Sequence, residues 1–260
     1  MAALVFQASY REQIIIRAPD NYAADRNKAE VYRALVGELQ WLSTMTRPDL
    51  AFAVGRFSIN PISEHLNSVK RIIKYSAGTT EVGLRYGPGD VTKGVNPEGN
   101  LLGWRDSSWL DDRDTSHATS GYVIQLWNGP ISWSSKLQTL CTDSTAEAEY
   151  VAQCTAAKKS LFLSELLQGI DYDEKDIKPI KLMGDNQAAI KLAANPINHQ
   201  RTKHIRNKFH FVSETGGSTL QYSNTADMVA DGMTKTLAPN DFRPFQLRLA
   251  ESVISREPRQ

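Results

Sequence analysis

The sequence predicts an α/β protein with a mixed five-stranded sheet and flanking helices, preceded by a small helical segment. In the first third of the chain, apolar residues recur every three or four positions, as they do in amphipathic helices. From Leu101 onward, three strand-like segments run into one helix that begins after Ser144. Two more short apolar segments follow, each with a helical pattern after it. This order predicts that the first strand lies beside the fourth in the middle of the sheet.

The helical segment contains three predicted helices, over residues 29–45, from residue 47 onward, and over residues 63–75. Pro48 lies near the start of the second, where a missing N–H costs little. Residues 1–28 carry little pattern, and residues 86–100 hold two turn-rich clusters that favour a domain boundary. We therefore predict a helical domain over residues 1–88, a sheet domain over 89–246 and a tail over 247–260.

The sheet domain begins with a strand that ends in an acid. Leu102 and Trp104 share one face of this strand, and Asp106 takes the next position on that face. Asn128-Gly129 between two β-rich runs predicts a hairpin in which both of these residues have positive φ. Later elements are a capping box at Ser144 and Glu147, strands over 177–183 and 218–223, and helices over 186–194, 199–214 and 225–236.

Composition limits the classes of function. Thirty Lys and Arg balance 29 Asp and Glu, so no overall basic field favours nucleic acid, and any such binding must be local. The two cysteines lack metal-type spacing. No apolar run approaches the roughly 20 residues of a membrane helix, and no secretory signal is recognisable. We expect an intracellular protein of cytoplasm or nucleus with no membrane partner; the sequence does not indicate an oligomeric state.

Four acids on four different elements are the candidate catalytic residues: Asp106, Glu149, Asp185 and Asp231. If the fold brings them together without Lys or Arg partners, they repel one another unless cations bind, and oxygen ligands select Mg²⁺ or Mn²⁺. Two such ions suit phosphodiester hydrolysis. The alternative is chance, because a chain with 29 acids places several of them near the ends of its elements.

Several motifs resemble the ribonuclease H domain of copia-type retrotransposon polyproteins, and they occur in the order of that family over roughly residues 100–240. They are Asp106-Ser107-Ser108-Trp109, Thr119-Ser120-Gly121-Tyr122-Val123, Ile131-Ser132-Trp133-Ser134-Ser135-Lys136, Ser144-Thr145-Ala146-Glu147-Ala148-Glu149-Tyr150, Asp185-Asn186-Gln187-Ala188-Ala189-Ile190, Arg201-Thr202-Lys203-His204-Ile205 and Ala230-Asp231-Gly232-Met233-Thr234-Lys235. Residues 46–54 resemble the end of the reverse transcriptase that precedes this domain in the family.

The resemblance implies a ribonuclease H-like fold and an endonuclease that cleaves the RNA strand of RNA/DNA hybrids. It also implies two Mg²⁺ or Mn²⁺ ions, bound by Asp106, Glu149, Asp185 and Asp231. By the resemblance, Glu149 is preferred over Glu147, and Asp231 over Asp227. Ser108 stands where the family often has an acid, a position outside the four ligands. The chain has no Tyr-x-Asp-Asp motif of a polymerase, so we expect a truncated polyprotein without polymerase activity.

Contacts to the hybrid are expected from polar residues near the acids and from a basic motif. The candidates are Ser107, Ser134, Ser135, Lys136, Asn186, Gln187, Lys203 and His204. For Asn186 and Gln187, plain helix capping is an equal alternative, and for His204 a structural role is the alternative. Two alternative functions stay open: a catalytically weak retroelement remnant that binds nucleic acid or a partner, and a nuclease that acts on DNA.

Overall fold

The computed structural model describes residues 26–57, 63–87, 100–109, 116–173, 177, 180–194 and 218–249. In these residues the elements follow one another as α1 (Arg26–Met45), a 3₁₀-helix (Pro48–Leu50), α2 (Ala51–Phe57), α3 (Ser63–Ala77), β1 (Leu102–Ser108), β2 (Thr119–Leu126), β3 (Gly129–Leu137), α4 (Thr145–Gln168), β4 (Ile180–Gly184), α5 (Gln187–Ala194), β5 (Ser218–Tyr222), two 3₁₀-helices (Thr225–Asp227 and Val229–Met233) and α6 (Pro239–Leu249). The predicted helix over 199–214 lies outside the described residues. No helix in the described ranges is both long and apolar enough to cross a membrane.

The chain forms two compact units, and α6 belongs to the first of them. Unit 1 comprises Met1–Arg85 and Lys235–Gln260, and unit 2 comprises Tyr86–Thr234. The domain limits that we predicted, 88/89 and 246/247, stay predictions. They differ from these units because α6, which contains Pro244 and which the sequence analysis did not find, groups with the N-terminal helices.

Unit 1 is built on the amphipathic helices that the sequence predicts. Tyr32, Val36 and Leu39 form the buried stripe of α1. The hydroxyl of Tyr32 donates to the carbonyl oxygen of Phe57 at 2.6 Å and so ties α1 to the end of α2. Burial raises the pKa of Tyr32 to about 12. The ring of Phe242 from α6 packs edge-on against Tyr75, with 5.9 Å between the ring centroids.

A buried ion pair holds the turn between α1 and α2. The Nε and Nη2 atoms of Arg47 donate to the two carboxylate oxygens of Asp49 at 2.9 and 2.8 Å. Arg47 Nη1 donates to the carbonyl oxygen of Thr79 at 3.1 Å, and the hydroxyl of Tyr75 donates to Asp49 at 2.7 Å. Each guanidinium nitrogen of Arg47 therefore has an acceptor.

The sheet of unit 2 confirms the predicted fold class, a mixed five-stranded sheet with flanking helices. Its strand order is β3-β2-β1-β4-β5. Strands β1, β2 and β3 pair antiparallel, whereas β1 with β4 and β4 with β5 pair parallel. The first strand therefore lies beside the fourth, as predicted. Helix α4 covers one face, where its apolar side chains meet those of the central strands in a core that includes Ile124, Tyr150, Val151, Cys154 and Leu182.

The hairpin between β2 and β3 exists, but its turn lies one residue earlier than predicted. The residues with positive φ are Trp127 (50°) and Asn128 (60°), and Gly129 already pairs with Leu126. Tertiary contacts hold Trp127 in this unfavourable conformation. Gly87 donates its N–H to the Trp127 carbonyl at 2.9 Å, and the indole N–H of Trp127 donates to the hydroxyl of Tyr172.

The predicted helix over residues 225–236 is wrong, because the segment forms two 3₁₀-helices instead. Met228 separates them with extended backbone angles, φ −76° and ψ 97°. The second 3₁₀-helix packs directly on the sheet at Gly121, where an added Cβ would lie 2.6 Å from the Cβ of Met233. Burial of Met228, Val229 and Met233 on the sheet thus replaces regular helix geometry.

Candidate functional site

The structure brings three of the four predicted acids together. Asp106 lies on β1, Glu149 in the first turns of α4, and Asp185 directly after the end of β4. One carboxylate oxygen of each lies within 4.8 Å of the others. Asp106 and Glu149 are only 3% and 5% exposed, and Asp185 is half-buried. This acid cluster, defined by Asp106, Glu149 and Asp185, is the candidate site.

Strand pairing and helix capping account for the position of each acid. The parallel register of β1 with β4 aligns Trp104 with Met183, so the two strands carry Asp106 and Asp185 at neighbouring carboxyl ends. Ser144 caps α4, with its hydroxyl accepting from the Glu147 N–H at 3.3 Å. The side chain of Glu147 accepts from the Asp143 N–H at 2.9 Å. Glu147 therefore serves the helix start, as we interpreted it, and Glu149 is left to face the cluster.

The acids do have a basic partner, so the condition under which they would repel one another without relief is only partly met. Arg105, the neighbour of Asp106 on β1, is fully buried, and its Nη1 lies 2.7 Å from Glu149 Oε2. The other oxygen of Glu149 accepts the backbone N–H of Ser107 at 3.1 Å. Successive strand residues face opposite sides of a sheet, so Arg105 projects from the opposite face to Asp106, toward α4. The strand pattern alone does not indicate which residue of that helix it contacts.

Burial governs the protonation of Glu149. Removal from water raises the pKa of this carboxyl group, and the neighbouring Asp106 and Asp185 raise it further, against the opposing effect of Arg105. The resulting pKa is about 8. In the absence of a bound cation, Glu149 is thus a carboxyl group that holds its proton up to near-neutral pH.

Two threonine hydroxyls orient the remaining acids, and the sequence analysis missed both. Thr234, which is fully buried, donates its hydroxyl to Asp106 Oδ2. Thr225 donates to Asp185 Oδ2 at 3.1 Å. Thr234 belongs to the last motif that carried the family resemblance, so its position was visible in the sequence but its role was not.

Asp231 does not join the acid cluster among the described residues. It lies on the second 3₁₀-helix of Val229–Met233, and its carbonyl oxygen accepts the N–H of Thr234 at 3.1 Å. Thr234 links Asp231 to Asp106 in this way, because its hydroxyl also lies 3.2 Å from the Asp231 carbonyl. Asp227 is exposed on the preceding 3₁₀-helix. The role of Asp231 as fourth ligand remains a prediction.

The predicted nucleic-acid contacts divide between the two faces of the sheet. Gly121 of β2 pairs with Asp106 on one side and with Ser135 on the other, so Ser135 and Asp106 lie on the same face of the sheet. Ser134 and Lys136 alternate with Ser135 and so face the α4 side, together with Ser107. Lys203 and His204 lie outside the described residues.

At the start of α5, beside Asp185, the side chains of Asn186 and Gln187 have different environments. Asn186 caps the helix, because its Oδ1 accepts the Ala189 N–H at 3.0 Å. Gln187 is exposed at the first position of the helix. The capping alternative therefore holds for Asn186, whereas the side chain of Gln187 is available for a ligand.

Gln138 is a further residue that the sequence analysis missed. Its buried Nε2 donates to the hydroxyl of Ser120 at 2.8 Å and to the carbonyl oxygen of Ala148 at 2.9 Å. Ala148 precedes Glu149, so Gln138 fixes the start of α4 relative to the sheet. A buried polar network of this kind positions a site without being visible as a motif.

The donor set fits a hard divalent cation. Carboxylate oxygens are the ligands that Mg²⁺ and Mn²⁺ prefer, and three of them lie close enough to share an ion. Each carboxylate already accepts at least one hydrogen bond or ion pair from the protein. These bonds fix the carboxylate orientations and leave further lone pairs for a metal.

Comparisons with known proteins point to transposon polyproteins. The chain is 34% identical over 224 residues to the retrovirus-related Pol polyprotein from transposon RE1 of Arabidopsis thaliana, covering 84% of this chain and 15% of the polyprotein. It is 36% identical over 223 residues to that from transposon TNT 1-94 of Nicotiana tabacum, covering 83% of this chain and 16% of the polyprotein. No protein-family profile matches.

Among solved structures, the chain resembles LC11-RNase H1 isolated from compost by a metagenomic approach. The TM-score is 0.40 and the identity 14%, with 52% of this chain and 93% of that chain covered. The chain spans about one sixth of the length of the polyproteins that it matches.

Proposed function

The chain belongs to the retrovirus-related Pol polyproteins of copia-type transposons, and from this premise we propose that it is a metal-dependent endonuclease that cleaves the RNA strand of RNA/DNA hybrids. The observation that carries the proposal is the acid cluster, in which carboxylates from β1, α4 and β4 meet within 4.8 Å. The ribonuclease H motifs of the sequence contain each of these three acids, which supports the same assignment.

In this proposal, Asp106, Glu149 and Asp185 bind Mg²⁺ or Mn²⁺, with Asp231 as the fourth ligand. Two bound ions supply activation of water and neutralisation of the leaving oxygen in phosphodiester hydrolysis. The protein holds the ligands ready: Thr234 orients Asp106, Thr225 orients Asp185, and the N–H of Ser107 orients Glu149. Preorganised ligands lower the reorganisation needed when substrate and metal bind.

The substrate is recognised by shape rather than by base sequence, through phosphates and 2′-hydroxyls. Ser135 shares the sheet face of Asp106, roughly two strand spacings or 10 Å away, a distance that suits a neighbouring phosphate of the cleaved strand. Gln187 is exposed beside Asp185 at the start of α5, where free N–H groups favour a phosphate. Ser107, Ser134, Lys136, Lys203 and His204 complete the proposed contacts, and Asn186 is assigned to the helix cap instead.

The experiment is cleavage of an end-labelled RNA/DNA hybrid with Mg²⁺ or Mn²⁺ by the full chain and by Asp185→Asn. We expect cutting of the RNA strand by the wild type and a loss of at least about 100-fold in the variant, since a metal ligand is removed and several kcal/mol of transition-state stabilisation go with it. Asparagine keeps the shape of Asp185 and can still accept from Thr225. Loss of activity would therefore report the charge rather than the fold.

A matched control is Glu165→Gln, which removes an exposed carboxylate from the same helix that carries Glu149. Its activity should equal that of the wild type. Duplex DNA and duplex RNA of the same sequence are tested in parallel, because cutting of duplex DNA but not of the hybrid would replace this proposal by a DNA nuclease. Folded wild type that cuts no substrate with either ion would refute the nuclease.

The fourth ligand is tested by comparing Asp231→Asn with Asp227→Asn. If Asp231 is the ligand, the first variant loses activity and the second keeps it. The reverse result would assign the role to Asp227.

A further inference from the structure

Arg105 is a permanent positive charge next to the acid cluster. Its guanidinium is fully buried and lies 2.7 Å from Glu149 through Nη1. An arginine side chain does not lose its proton in a protein. The acid cluster therefore already has, beside Glu149, one cation that belongs to the chain itself.

The backbone of β4 lies directly against the guanidinium of Arg105. A Cβ at Gly184 would lie 2.5 Å from Arg105 Nη2 and 2.6 Å from Nε, so the guanidinium rests directly against the backbone of β4. Gly184 immediately precedes Asp185, as Arg105 immediately precedes Asp106. The guanidinium thus lies against the end of β4, next to Asp185, and contacts the side chain of Glu149. A side chain at position 184 would force the guanidinium to move from this place.

Arg105 differs from the structural arginine of unit 1. Arg47 donates from all three of its guanidinium nitrogens to Asp49 and Thr79. In the part of the chain that the structure describes, Nε and Nη2 of Arg105 are buried and have no acceptor. A buried arginine with two unused nitrogens is costly as a hydrogen-bonding group, so the favourable contribution that remains is its charge beside the carboxylates.

We infer that Arg105 is a built-in counter-ion of the acid cluster, which offsets part of the cluster's negative charge in the metal-free protein and competes with the divalent cation for Glu149. The inference rests on the proposed function only in taking the acid cluster as a metal site. Two consequences follow from the charge of Arg105 alone. First, the folded protein tolerates the buried acids in the absence of metal. Second, the guanidinium repels a divalent ion, so the site binds that ion more weakly than three carboxylates without an arginine beside them would.

The test measures Mn²⁺ binding by calorimetry to the metal-free full chain and to Arg105→Met and Arg105→Lys. Methionine fills the space without the charge, and lysine keeps the charge. We expect Arg105→Met to bind Mn²⁺ about tenfold or more tightly than the wild type, because the repulsion between the guanidinium and the ion is removed. Arg105→Lys should stay near the wild type. Arg71→Met, at an exposed position of α3, controls for the change in net charge.

Equal Mn²⁺ affinity of Arg105→Met and the wild type would overturn the inference, and so would the absence of binding in both. Asp185→Asn should weaken binding in either background, which places the measured ion at the cluster. Cleavage is not the readout here. A chain that gains Mn²⁺ affinity as expected but cuts no hybrid would refute the nuclease and leave the role of Arg105 standing.

Arg105→Met leaves Glu149 buried without its partner, and the variant can fail to fold in the absence of metal. In that case the titration is followed as recovery of native tryptophan fluorescence. Folding induced by Mn²⁺ but not by NaCl of equal ionic strength supports the inference. A variant that stays unfolded at saturating Mn²⁺ overturns it.

Discussion

Glu149 makes the stability of the metal-free protein depend on pH in an unusual direction. Its pKa is about 8 in the folded chain, against an ordinary value of 4.5. A carboxyl group with a higher pKa in the folded state holds its proton more tightly there. Its contribution to stability is therefore fully present below pH about 4.5 and is lost as the pH rises toward 8. Most buried carboxylates that form ion pairs act in the opposite direction.

The size of the effect follows from the difference between the two pKa values. One pKa unit is equivalent to about 1.4 kcal/mol, so raising the pH from 5 to 8 should lower the free energy of unfolding by about 3 to 4 kcal/mol through this group alone. Replacing Glu149 by Gln removes the titrating proton and keeps the shape of the side chain. The variant should lose this pH dependence.

The assay is urea denaturation in EDTA at pH 5 and pH 8, followed by tryptophan fluorescence. Trp104, Trp109, Trp127 and Trp133 lie in unit 2, and Trp41 lies in unit 1, so the signal reports mainly the unit that contains Glu149. The quantity compared is the change in unfolding free energy between the two pH values, in the wild type and in Glu149→Gln. Equal changes in both proteins would refute the assignment of the raised pKa to Glu149. Added Mg²⁺ should restore the stability of the wild type at pH 8, because a bound cation favours the ionised carboxylate.

Three further predictions concern contacts around the cluster and in unit 1. Gly184→Ala should lower the free energy of unfolding by about 1 to 3 kcal/mol, measured by urea denaturation, because the added methyl group overpacks against Arg105. The same substitution should cost less stability in an Arg105→Ser background. Equal losses in the two backgrounds would contradict the contact between position 184 and the guanidinium. Asn186→Ala should destabilise unit 2 by about 1 kcal/mol through loss of the α5 cap, measured by urea denaturation, and no change would exclude capping. Asp49→Asn should destabilise unit 1 by about 3 to 5 kcal/mol, because Arg47 is left buried without its carboxylate; thermal unfolding followed by far-UV circular dichroism would detect this, and an unchanged melting temperature would refute it.

Much of the architecture was determined by local pattern. Helical periodicity predicted α1 and α3, the capping box predicted the start of α4, and the order of strands and helices predicted that β1 lies beside β4. These features depend on residues close together in the chain, where side-chain spacing decides which face is buried. The same reasoning brought Asp106 and Asp185 to neighbouring strand ends and Glu149 to the sheet.

The errors occurred where distant residues override local preference. The hairpin turn includes Trp127 at positive φ because Gly87 and Tyr172 hold it there, although local propensity favours Asn128-Gly129. The segment after β5 gives up helical geometry to bury Met228 and Met233 on the sheet. Helix α6 contains a proline in its interior, and its Phe242 packs on Tyr75 of α3 within unit 1, which no local signal indicates.

The sequence by itself determined that acids stand at the ends of β1 and β4 and near the start of α4, since periodicity and capping place each residue within its own element. Only the tertiary structure decided what surrounds them. Arg105 reaches Glu149 across the gap between β1 and α4, and its guanidinium occupies space that a side chain at position 184 would require. The charge balance of the site depends on distances between separate elements, and those distances are fixed by packing, not by spacing along the chain.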